Sequence, residues 1–486
     1  MNIVIMTAQL LLGLAILVFV HETGHFVAAR IFKVRVPKFY LFFNPKFSIV
    51  KFKRIKGKWQ VKFFSANLPD TEVVTNADGS PVLDAKGKNK YKMIDTQSLD
   101  DDDWRKYPEN TEYGIGWLPL GGYCQIAGMI DETQTVENLS SEPQPWEFRF
   151  KPAWQRLIIV LAGVIVNMIV GVLLFAMVIR CYEKQYIPNA GITEGLYAFE
   201  SAKNIGFATG DKIISIDGKS YERYSDIKPA LILGNMAQVE RDGKLMDIVL
   251  GDRIYDTMKV HMNTFLEPMN FPFVIDSVVN PDLASGKLQK GDKLIGLNDR
   301  QLECYGTWQE FHLDYANQPV TLTYLRDNDT LTTTAVLDSN GLLGVFCTMP
   351  DFKMATYSIG QSFVYGWKDA MNNLRLNISG LGKLLSGQEK ASSLSGPIGI
   401  AQIYGNVWNW GRFWYITGLL SVILAFMNVL PIPGLDGGHA IFTLIELLTG
   451  RKVSDNVIQA AQTVGMIILL LLMIFVFGND ILKLFH

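Results

Sequence analysis

Apolar residues are concentrated in four long runs that are separated by polar segments. These runs cover residues 3–32, 157–179, 413–430 and 457–477. Each approaches the roughly 20 apolar residues that an α-helix needs to cross the hydrocarbon core of a bilayer. No basic side chain precedes the first run, which therefore lacks the positively charged start of a cleaved signal peptide. The pattern predicts four transmembrane helices, at 1–32, 153–182, 412–438 and 455–483.

Lysine and arginine residues are unevenly distributed around these runs. They crowd the segment after the first run, the residues just before the second, and the short loop between the third and fourth. Basic residues near the ends of transmembrane helices mark the cytoplasmic side. We therefore expect these loops in the cytoplasm, with both termini and residues 182–411 on the opposite side of the membrane.

The predicted cytoplasmic region, residues 33–152, has strand-like patterns at both ends. Segments 34–64 and 113–129 are rich in alternating β-branched and aromatic residues, which is typical of strands. Between them, residues from about 67–112 are polar and include the acidic run Asp100–Asp103. We expect a β region that is interrupted by a solvated polar insertion.

The extracytoplasmic region contains an internal repeat. Gly210–Gly218 and Gly291–Asp299 share a Gly-Asp turn, a short apolar strand and a second turn, an arrangement typical of PDZ domains. Repeats at a domain-sized spacing indicate tandem copies of one folding unit. We expect two PDZ-like α+β domains, at 183–267 and 268–350, or alternatively two generic β-rich domains that bind no peptide.

Residues 351–411 have the pattern of amphipathic helices. Phe363, Trp367, Met371 and Leu374 recur at intervals that place them on one face of a helix. That face either packs simply against neighbouring helices or rests on the repeat domains or the membrane surface.

The charge balance and the cysteine content indicate no additional ligand or metal site. The chain has 45 basic and 47 acidic residues, and this near-neutral balance gives no sign of a nucleic-acid partner. The absence of a Cys-x-x-Cys pair argues against a cysteine-based zinc cluster. Cys304 and Cys347 share the extracytoplasmic region; we expect two free thiols, and a disulfide remains the alternative.

The sharpest chemical signal is His21-Glu22-Thr23-Gly24-His25. Residues four apart lie on one face of a helix, so the two imidazoles can bind one Zn²⁺ ion, and Glu22 is placed to act as a general base toward water. The motif directly follows an apolar run, and ionisable residues at membrane depth are costly unless they are functional. We therefore expect one catalytic zinc ion, with His21 and His25 as ligands and Glu22 as the base.

A third ligand is expected at the end of the third predicted span. Pro431 and Pro433 break the helix, and the glycines after Asp436 allow tight turns. Irregular backbone at membrane depth is tolerated only in a protein interior or a wet cavity. We therefore expect Asp436 to be delivered into a polar pocket, where it completes the two-histidine site. His439 is expected to have a structural or interfacial role.

Taken together, the His21–His25 motif and the segment Asn428–Gly437 resemble the site-2 protease family of intramembrane metalloproteases. The glycines before Tyr123 resemble that family's membrane-associated β-hairpin. Asn167 lies in a segment similar to the family's second span, although Val164 stands where the family usually has proline. The resemblance covers nearly the whole chain except the polar insertion.

The resemblance implies an endopeptidase of the bacterial inner membrane, with the PDZ-like domains in the periplasm. It implies that single-span membrane proteins in the bilayer are substrates, namely a trimmed anti-sigma factor or remnant signal peptides. It also implies a set of residues that bind the unwound substrate: Asn428, Asn167, Pro431, Pro433, Gly121, Gly122 and Tyr123.

Three other function classes compete with this interpretation. A non-catalytic PDZ scaffold has no need of Glu22 beside two metal ligands. A soluble-type protease tethered to a membrane fits poorly, because both metal-binding segments are continuous with predicted spans. A metal transporter would also place His and Asp at membrane depth, and bound-zinc stoichiometry with a cleavage assay separates it from a protease.

Overall fold

A computed structural model of the chain divides into two compact units. One unit comprises Met1–Tyr182 and Ile359–His486, and the other comprises Glu183–Ser358. Part of the predicted polar insertion falls outside the residues that the structure describes. The described residues are 3–68, 71–76, 80–82, 91–94, 96–119, 121–130, 142–251, 253–260, 264–284, 286–348, 355–388 and 396–484.

Helices dominate the first unit and alternate with strands in the second. The helices are α1 (Ile3–Ile31), α2 (Ala153–Val178), α3 (Glu200–Lys203), α4 (Ile227–Leu233), α5 (Arg253–Val260), α6 (Pro281–Ala284), α7 (Tyr305–Phe311), α8 (Ile359–Leu385), α9 (Pro397–Tyr404), α10 (Trp410–Val429), α11 (Asp436–Thr449) and α12 (Asp455–Leu484).

Most strands are short. The strands are β1 (Lys38–Leu41), β2 (Phe47–Ile55), β3 (Lys58–Ala66), β4 (Thr71–Val73), β5 (Tyr91–Met93), β6 (Glu112–Ile115), β7 (Tyr123–Gln125), β8 (Gln185–Tyr186), β9 (Leu196–Ala198), β10 (Lys212–Ile216), β11 (Met236–Arg241), β12 (Lys244–Val249), β13 (Leu266–Pro268), β14 (Ile275–Val278), β15 (Lys293–Leu297), β16 (Arg300–Gln301), β17 (Pro319–Arg326), β18 (Asp329–Val336), β19 (Val345–Cys347) and β20 (Ala355–Thr356).

Four helices of the first unit are long and apolar enough to cross a membrane. They are Ile3–Ile31, Ala153–Glu183, Trp410–Val429 and Asp455–Lys483 among the described residues. This confirms the predicted polytopic helical membrane protein. The second of these helices ends in a π-helical turn at Ile179–Glu183.

The helix of the third predicted segment, 412–438, ends just before the two prolines that were expected to break it. Helix α10 ends at Val429, and the chain turns at the two prolines before α11 begins at Asp436. Gly437 packs so closely that a Cβ atom there would lie 2.1 Å from the carbonyl oxygen of Leu430. Most of α11 was left unassigned by the sequence analysis, because its apolar stretch is too short to stand out as a span.

Helix α8 packs on α2 through small residues. Ser362, Gly366 and Ala370 are buried, and a Cβ atom on Gly366 would lie 2.7 Å from the backbone nitrogen of Ala176. Small residues allow this close approach. The four residues that the sequence predicted on one helix face differ in burial. Met371 and Leu374 pack against α2 and α10, whereas Phe363 and Trp367 are 49% and 54% exposed.

A five-stranded sheet with the order β3-β2-β6-β1-β7 packs beside α1. Strands β1 and β6 are parallel, and the other pairs are antiparallel. The polar insertion is not fully solvated, because Trp104 is buried and its carbonyl accepts a hydrogen bond from buried Lys53. The insertion therefore covers the face of the sheet that carries these polar side chains.

Among its described residues, the second unit has two large hydrophobic cores, built from residues between 192 and 266 and between 273 and 343, and a smaller cluster of Tyr197, Phe199 and Cys304. The repeated aspartates have matching contacts. Asp211 forms an ion pair with Arg241 and caps the amide of Ala208; Asp292 forms one with Arg326 and caps the amide of Gln289. The sequence repeat thus corresponds to a repeated local structure.

Both cysteines of this unit are free thiols, as expected. Cys304 is buried, and burial raises the pKa of its thiol. Burial also raises the pKa of the Cys347 thiol to about 11. Both groups are therefore mostly protonated near neutral pH.

Candidate active site

Three side chains from two distant segments converge in the first unit. His21 and His25 lie one turn apart on α1, with their Nε2 atoms 3.2 Å apart. Asp436, the first residue of α11, places Oδ2 at 3.2 Å from His21 Nε2 and at 3.3 Å from His25 Nε2. The sequence-predicted ligand set is thus brought together in space.

Close packing of α1 on α2 positions this pair. A Cβ atom on Gly24 would lie 2.7 Å from the carbonyl oxygen of Ala162, so the two backbones touch here. On the facing side, a Cβ atom on Gly163 would lie 2.4 Å from His25 Nε2 and 2.7 Å from His21 Cε1. Gly163 therefore leaves the space that the two imidazoles occupy.

The ring nitrogens that face away from the cluster are held by α2. His25 Nδ1 lies 2.9 Å from the carbonyl oxygen of Ile159, and since a carbonyl only accepts, Nδ1 carries the proton. This tautomer leaves the lone pair on Nε2 for a metal. The amide of Asn167 lies 3.2 Å from His21 Nδ1, and its oxygen, if turned toward the ring, would accept the equivalent proton there.

The donor set fits a zinc ion. The ligand atoms of His21, His25 and Asp436 all lie within 4.8 Å of one another. Asp436 Oδ2 is buried and has no hydrogen-bond partner among the described residues, and an unpaired buried carboxylate oxygen is costly unless a cation neutralises it. Two imidazoles and one carboxylate are a ligand set of catalytic zinc sites, which keep a further position open.

A cavity of about 240 Å³ opens beside the cluster. Glu22 lines it together with the three clustered side chains. The expected substrate-binding residues Gly121, Gly122, Tyr123 and Asn428 also line it. Strand β7, which contains Tyr123, is the edge of the five-stranded sheet and borders this space.

Asn428 is also close to the ligand cluster, whereas Asn167, Pro431 and Pro433 do not line this cavity. Asn428 Nδ2 is 3.3 Å from His21 Nε2, close to the ligand atoms. Asn167 is fully buried and contacts His21, as an interhelical hydrogen-bonding residue would. Pro431 and Pro433 form the break between α10 and α11, and the carbonyl oxygen of Pro433 packs against Gly465 of α12.

Comparison of the sequence with protein families identifies the family of this chain. The sequence profile of peptidase family M50 matches residues 9–67 and 104–472, which include both segments of the cluster. The chain belongs to peptidase family M50. This is the site-2 protease type of zinc metalloprotease that the motifs predicted. The profile leaves out residues 68–103, which fall within the predicted polar insertion.

Individual M50 relatives resemble the chain over most of its length. Protease RseP of Yersinia pestis is 29% identical, and the match covers 100% of both chains. Regulator of sigma-E protease RseP of Salmonella typhimurium is 25% identical over 98% of both. A zinc metalloprotease of Xylella fastidiosa is 28% identical over 78% of this chain and 88% of its own. The name of the Xylella fastidiosa relative supports zinc as the metal.

Two residues of this M50 site were missed in the sequence analysis. Gln462 of α12 is buried, lines the cavity and lies 2.8 Å from His439 Nε2. The side-chain amide of Gln462 thus contacts the imidazole of His439, which agrees with the structural role expected for this histidine. Gly163 is the second; it lies in the segment that resembles the family's second span, but the sequence analysis gave it no role.

Gly163→Ala should reduce peptidase activity by about 100-fold or more, because displacing catalytic groups by about 1 Å can have that effect. The added methyl group must push the two imidazoles, since a Cβ atom would lie within 2.4 Å of His25 Nε2. Cleavage of a membrane-protein substrate by the purified variant tests this. Gly382→Ala is the control, because nothing lies within 4 Å of a Cβ atom at that helical position. Equal activity of the two variants would contradict the positioning role of Gly163.

Proposed function

We propose that the protein holds one zinc ion between His21, His25 and Asp436 and cleaves single-span membrane proteins within or near their transmembrane segments. The observation that carries this proposal is the convergence of three ligand atoms, two of which belong to a helix long and apolar enough to span a membrane. His21 lies about 15 Å along α1 from its cytoplasmic end, by the rise of an α-helix. The peptide bond must therefore reach the site inside the bilayer.

The side chains of the cavity have separate tasks. A bound zinc ion supplies Lewis-acid polarisation at the peptide carbonyl. Glu22 takes a proton from the attacking water and returns it to the leaving nitrogen. Asn428 offers its amide to the substrate backbone near His21. Because α-helical hydrogen bonds shield a substrate's carbonyls, the substrate unwinds locally and pairs with the edge strand β7 by β-addition.

The names of the relatives support one substrate class for this chain. The relative from Salmonella typhimurium carries a name that refers to regulation of sigma-E, which supports an anti-sigma factor already shortened by another protease as the substrate of this chain. Remnant signal peptides are the second candidate, since they too are short membrane spans. In this proposal the protein lies in the inner membrane with the second unit in the periplasm, as the basic loops predict.

The direct test is cleavage of defined substrates by the purified protein in lipid nanodiscs. A fluorescently labelled single-span anti-sigma segment and a signal peptide are compared with a soluble peptide of the same sequence context. Activity should disappear with a chelator and return with zinc, and the membrane-embedded substrates should be preferred. Cleavage of the soluble peptide alone would contradict the intramembrane proposal.

The second unit is proposed to be a PDZ-like pair that selects substrates. Its ends lie together, because Ala355–Thr356 pairs with Gln185–Tyr186 as an antiparallel ladder. Two roles are open: screening by the bulk of the substrate's periplasmic part, or capture of a new C-terminus in a PDZ groove.

Deleting residues 187–354 and joining the paired strands with an Asn-Gly turn separates these roles. Under screening, the shortened enzyme cuts substrates with an intact periplasmic domain, which the full-length enzyme leaves uncut. Under capture, it cuts trimmed substrates several-fold more slowly. If the full-length enzyme cleaves intact and trimmed substrates at equal rates, neither selection role holds.

A further inference from the structure

The second unit contains the same strand pair twice. In the first repeat β9 pairs with β13, and in the second repeat β14 pairs with β19. Both leading strands also form two hydrogen bonds with the repeated Gly-Asp turn, Leu196 with the first turn and Ile275 with the second. Strands β13 and β19 therefore occupy equivalent places, and their outer sides can be compared residue by residue.

Leu266 and Pro268 form the outer edge of β13. In an antiparallel pair, the backbone groups of successive residues alternate between the two sides of a strand. The carbonyl oxygen of Phe265 accepts a hydrogen bond on the β9 side, and the amide of Met269 donates one there. The backbone groups of Leu266 and Pro268 therefore point away from β9. A peptide that extended the sheet at this edge would have to pair with these two residues.

This edge of the first repeat is closed by residues of the same repeat. The hydroxyl of Tyr224 donates a hydrogen bond to the carbonyl oxygen of Leu266 at 2.9 Å. Pro268 has no N–H group to donate. Lys228 of α4 forms an ion pair with Glu267 of β13, with 2.9 Å between the ammonium and carboxylate groups, and this pair ties α4 to the strand. An added peptide would find one outward acceptor occupied and one outward donor missing.

The corresponding edge of β19 keeps its backbone donors and acceptors. The carbonyl oxygen of Gly344 and the amide of Thr348 bond on the β14 side, so the backbone groups of Val345 and Cys347 point outward. Within the part of the chain that the structure describes, neither residue bonds outward to another element. The second repeat thus offers two donors and two acceptors to an added strand.

The side chains that close β13 have different counterparts beside β19. Tyr305 stands at the place of the closing tyrosine in the repeat, but its ring packs on Phe271 and Phe273. Gln309 and Phe346 stand where the first repeat has the lysine and the glutamate of its ion pair. Since neither side chain is charged, they cannot tie α7 to β19 as that ion pair ties α4 to β13.

Two successive backbone amides lie at the start of β19. The amide of Leu342 is bonded to Asp338, whereas the amides of Leu343 and Gly344 have no acceptor among the described residues. Gly344 has a φ of 74°, a left-handed conformation that occurs where successive amides form an anion-binding concavity. The terminal carboxylate of a peptide is an anion that such amides hold.

We propose that the two repeats differ in function: an extended peptide with a free C-terminal carboxylate adds to β19 of the second repeat, whereas β13 of the first repeat is closed and takes no peptide. The carboxylate lies at the amides of Leu343 and Gly344, and the peptide backbone pairs with Val345 and Cys347. For the proposed protease, capture of a new C-terminus then falls to the second repeat alone. That consequence for cleavage rests on the proposed function, whereas the peptide binding itself does not.

Fluorescence anisotropy with the full-length protein in nanodiscs measures the binding. The probe is a labelled peptide of alternating threonine and valine that ends in valine with a free carboxylate, because β-branched residues favour an extended chain. The same peptide with an amidated C-terminus should bind about tenfold more weakly, since it loses the charge-assisted hydrogen bonds to the amides. Equal affinity of the two peptides would contradict the carboxylate site.

Cys347→Pro gives the second repeat the missing donor of the first. It should weaken peptide binding about tenfold or more, because the ring replaces an outward N–H group and obstructs the added strand. Thr332→Pro is the matched control: Thr332 is exposed on β18, an edge strand of the same repeat, and its N–H group also points outward. It should bind the peptide as the wild type does, and thermal unfolding of both variants checks the fold.

Hydrogen–deuterium exchange of the wild-type protein locates the peptide without any substitution. With the unlabelled peptide present, amide exchange should slow in residues 343–348 and stay unchanged in residues 264–269. Tyr224→Phe frees the carbonyl oxygen of Leu266 but leaves Pro268 in place, so it should not raise the affinity for the peptide.

Slower exchange in residues 264–269, or a higher peptide affinity of Tyr224→Phe, would overturn the division between the repeats. Equal affinity of Cys347→Pro and Thr332→Pro, or no binding by the wild type, would overturn the site on β19. Cleavage is not measured in any of these experiments, so a failure here is distinct from a failure of the protease proposal.

Discussion

Replacing Glu22 by Gln should lower kcat/KM for a membrane substrate by about 100- to 10,000-fold, the usual contribution of a positioned general base. Glu22 lines the proposed active-site cavity beside both histidines but does not belong to the three-residue ligand cluster. The glutamine keeps the size of the side chain and removes only its ability to take a proton. Zinc content, measured by mass spectrometry of the metal, should therefore stay at the wild-type ratio.

The combination of the two readouts is what identifies a base. Loss of both activity and zinc would make Glu22 a ligand, and retention of activity would remove it from the mechanism. Glu109→Gln, at an exposed position near the five-stranded sheet, controls for the loss of one negative charge and should leave both quantities unchanged.

The sequence was most informative where chemistry restricts the choice of residue. Two histidines four apart and a distant aspartate are needed to hold one zinc ion, and each is unusual beside an apolar span. These residues could therefore be chosen from their setting alone, and the structure brings all three together. The four spans could be predicted equally well, because a helix that crosses a bilayer needs about 20 mostly apolar residues in a row.

The sequence was least informative where packing depends on small residues. Gly163 makes room for two imidazoles, and Gly366 and Ala370 let α8 approach α2, yet none of them adds an apolar signal to its segment. The aromatic residues Phe363 and Trp367 gave a clearer periodic pattern but remain largely exposed. Periodicity thus located the helix correctly and indicated only part of the face that packs.

The polar insertion shows a related difficulty. Its composition predicted solvation, because acidic and basic residues dominate it. Trp104 is nevertheless buried, donates a hydrogen bond from Nε1 to Gln60, and lies under the ammonium group of Lys62. One aromatic side chain in a polar stretch can hold a segment on a sheet, and no local pattern reveals which surface it will cover.

Asp436→Ala should abolish detectable cleavage and lower zinc affinity by more than 100-fold. Loss of an outer-shell partner of a metal ligand already costs about 10- to 100-fold in affinity, and the removal of a ligand should cost more. The carboxylate is also the group through which α11 meets α1, since Oδ2 lies 3.2 Å and 3.3 Å from the two imidazoles. Metal titration of the purified variant with a competing chelator measures the affinity without reference to activity.

Asp455→Ala provides the matched control for this substitution. Asp455 is also the first residue of a helix, α12, and its carboxylate lies 4.0 Å from Lys452, away from the ligand cluster. It should keep zinc and activity, so a loss confined to Asp436→Ala cannot come from an altered helix start. Full zinc affinity in Asp436→Ala would place the third ligand elsewhere. Loss of cleavage with zinc retained would instead give Asp436 a role in orienting the substrate. Asp436 could have this role because it lines the same cavity as Asn428.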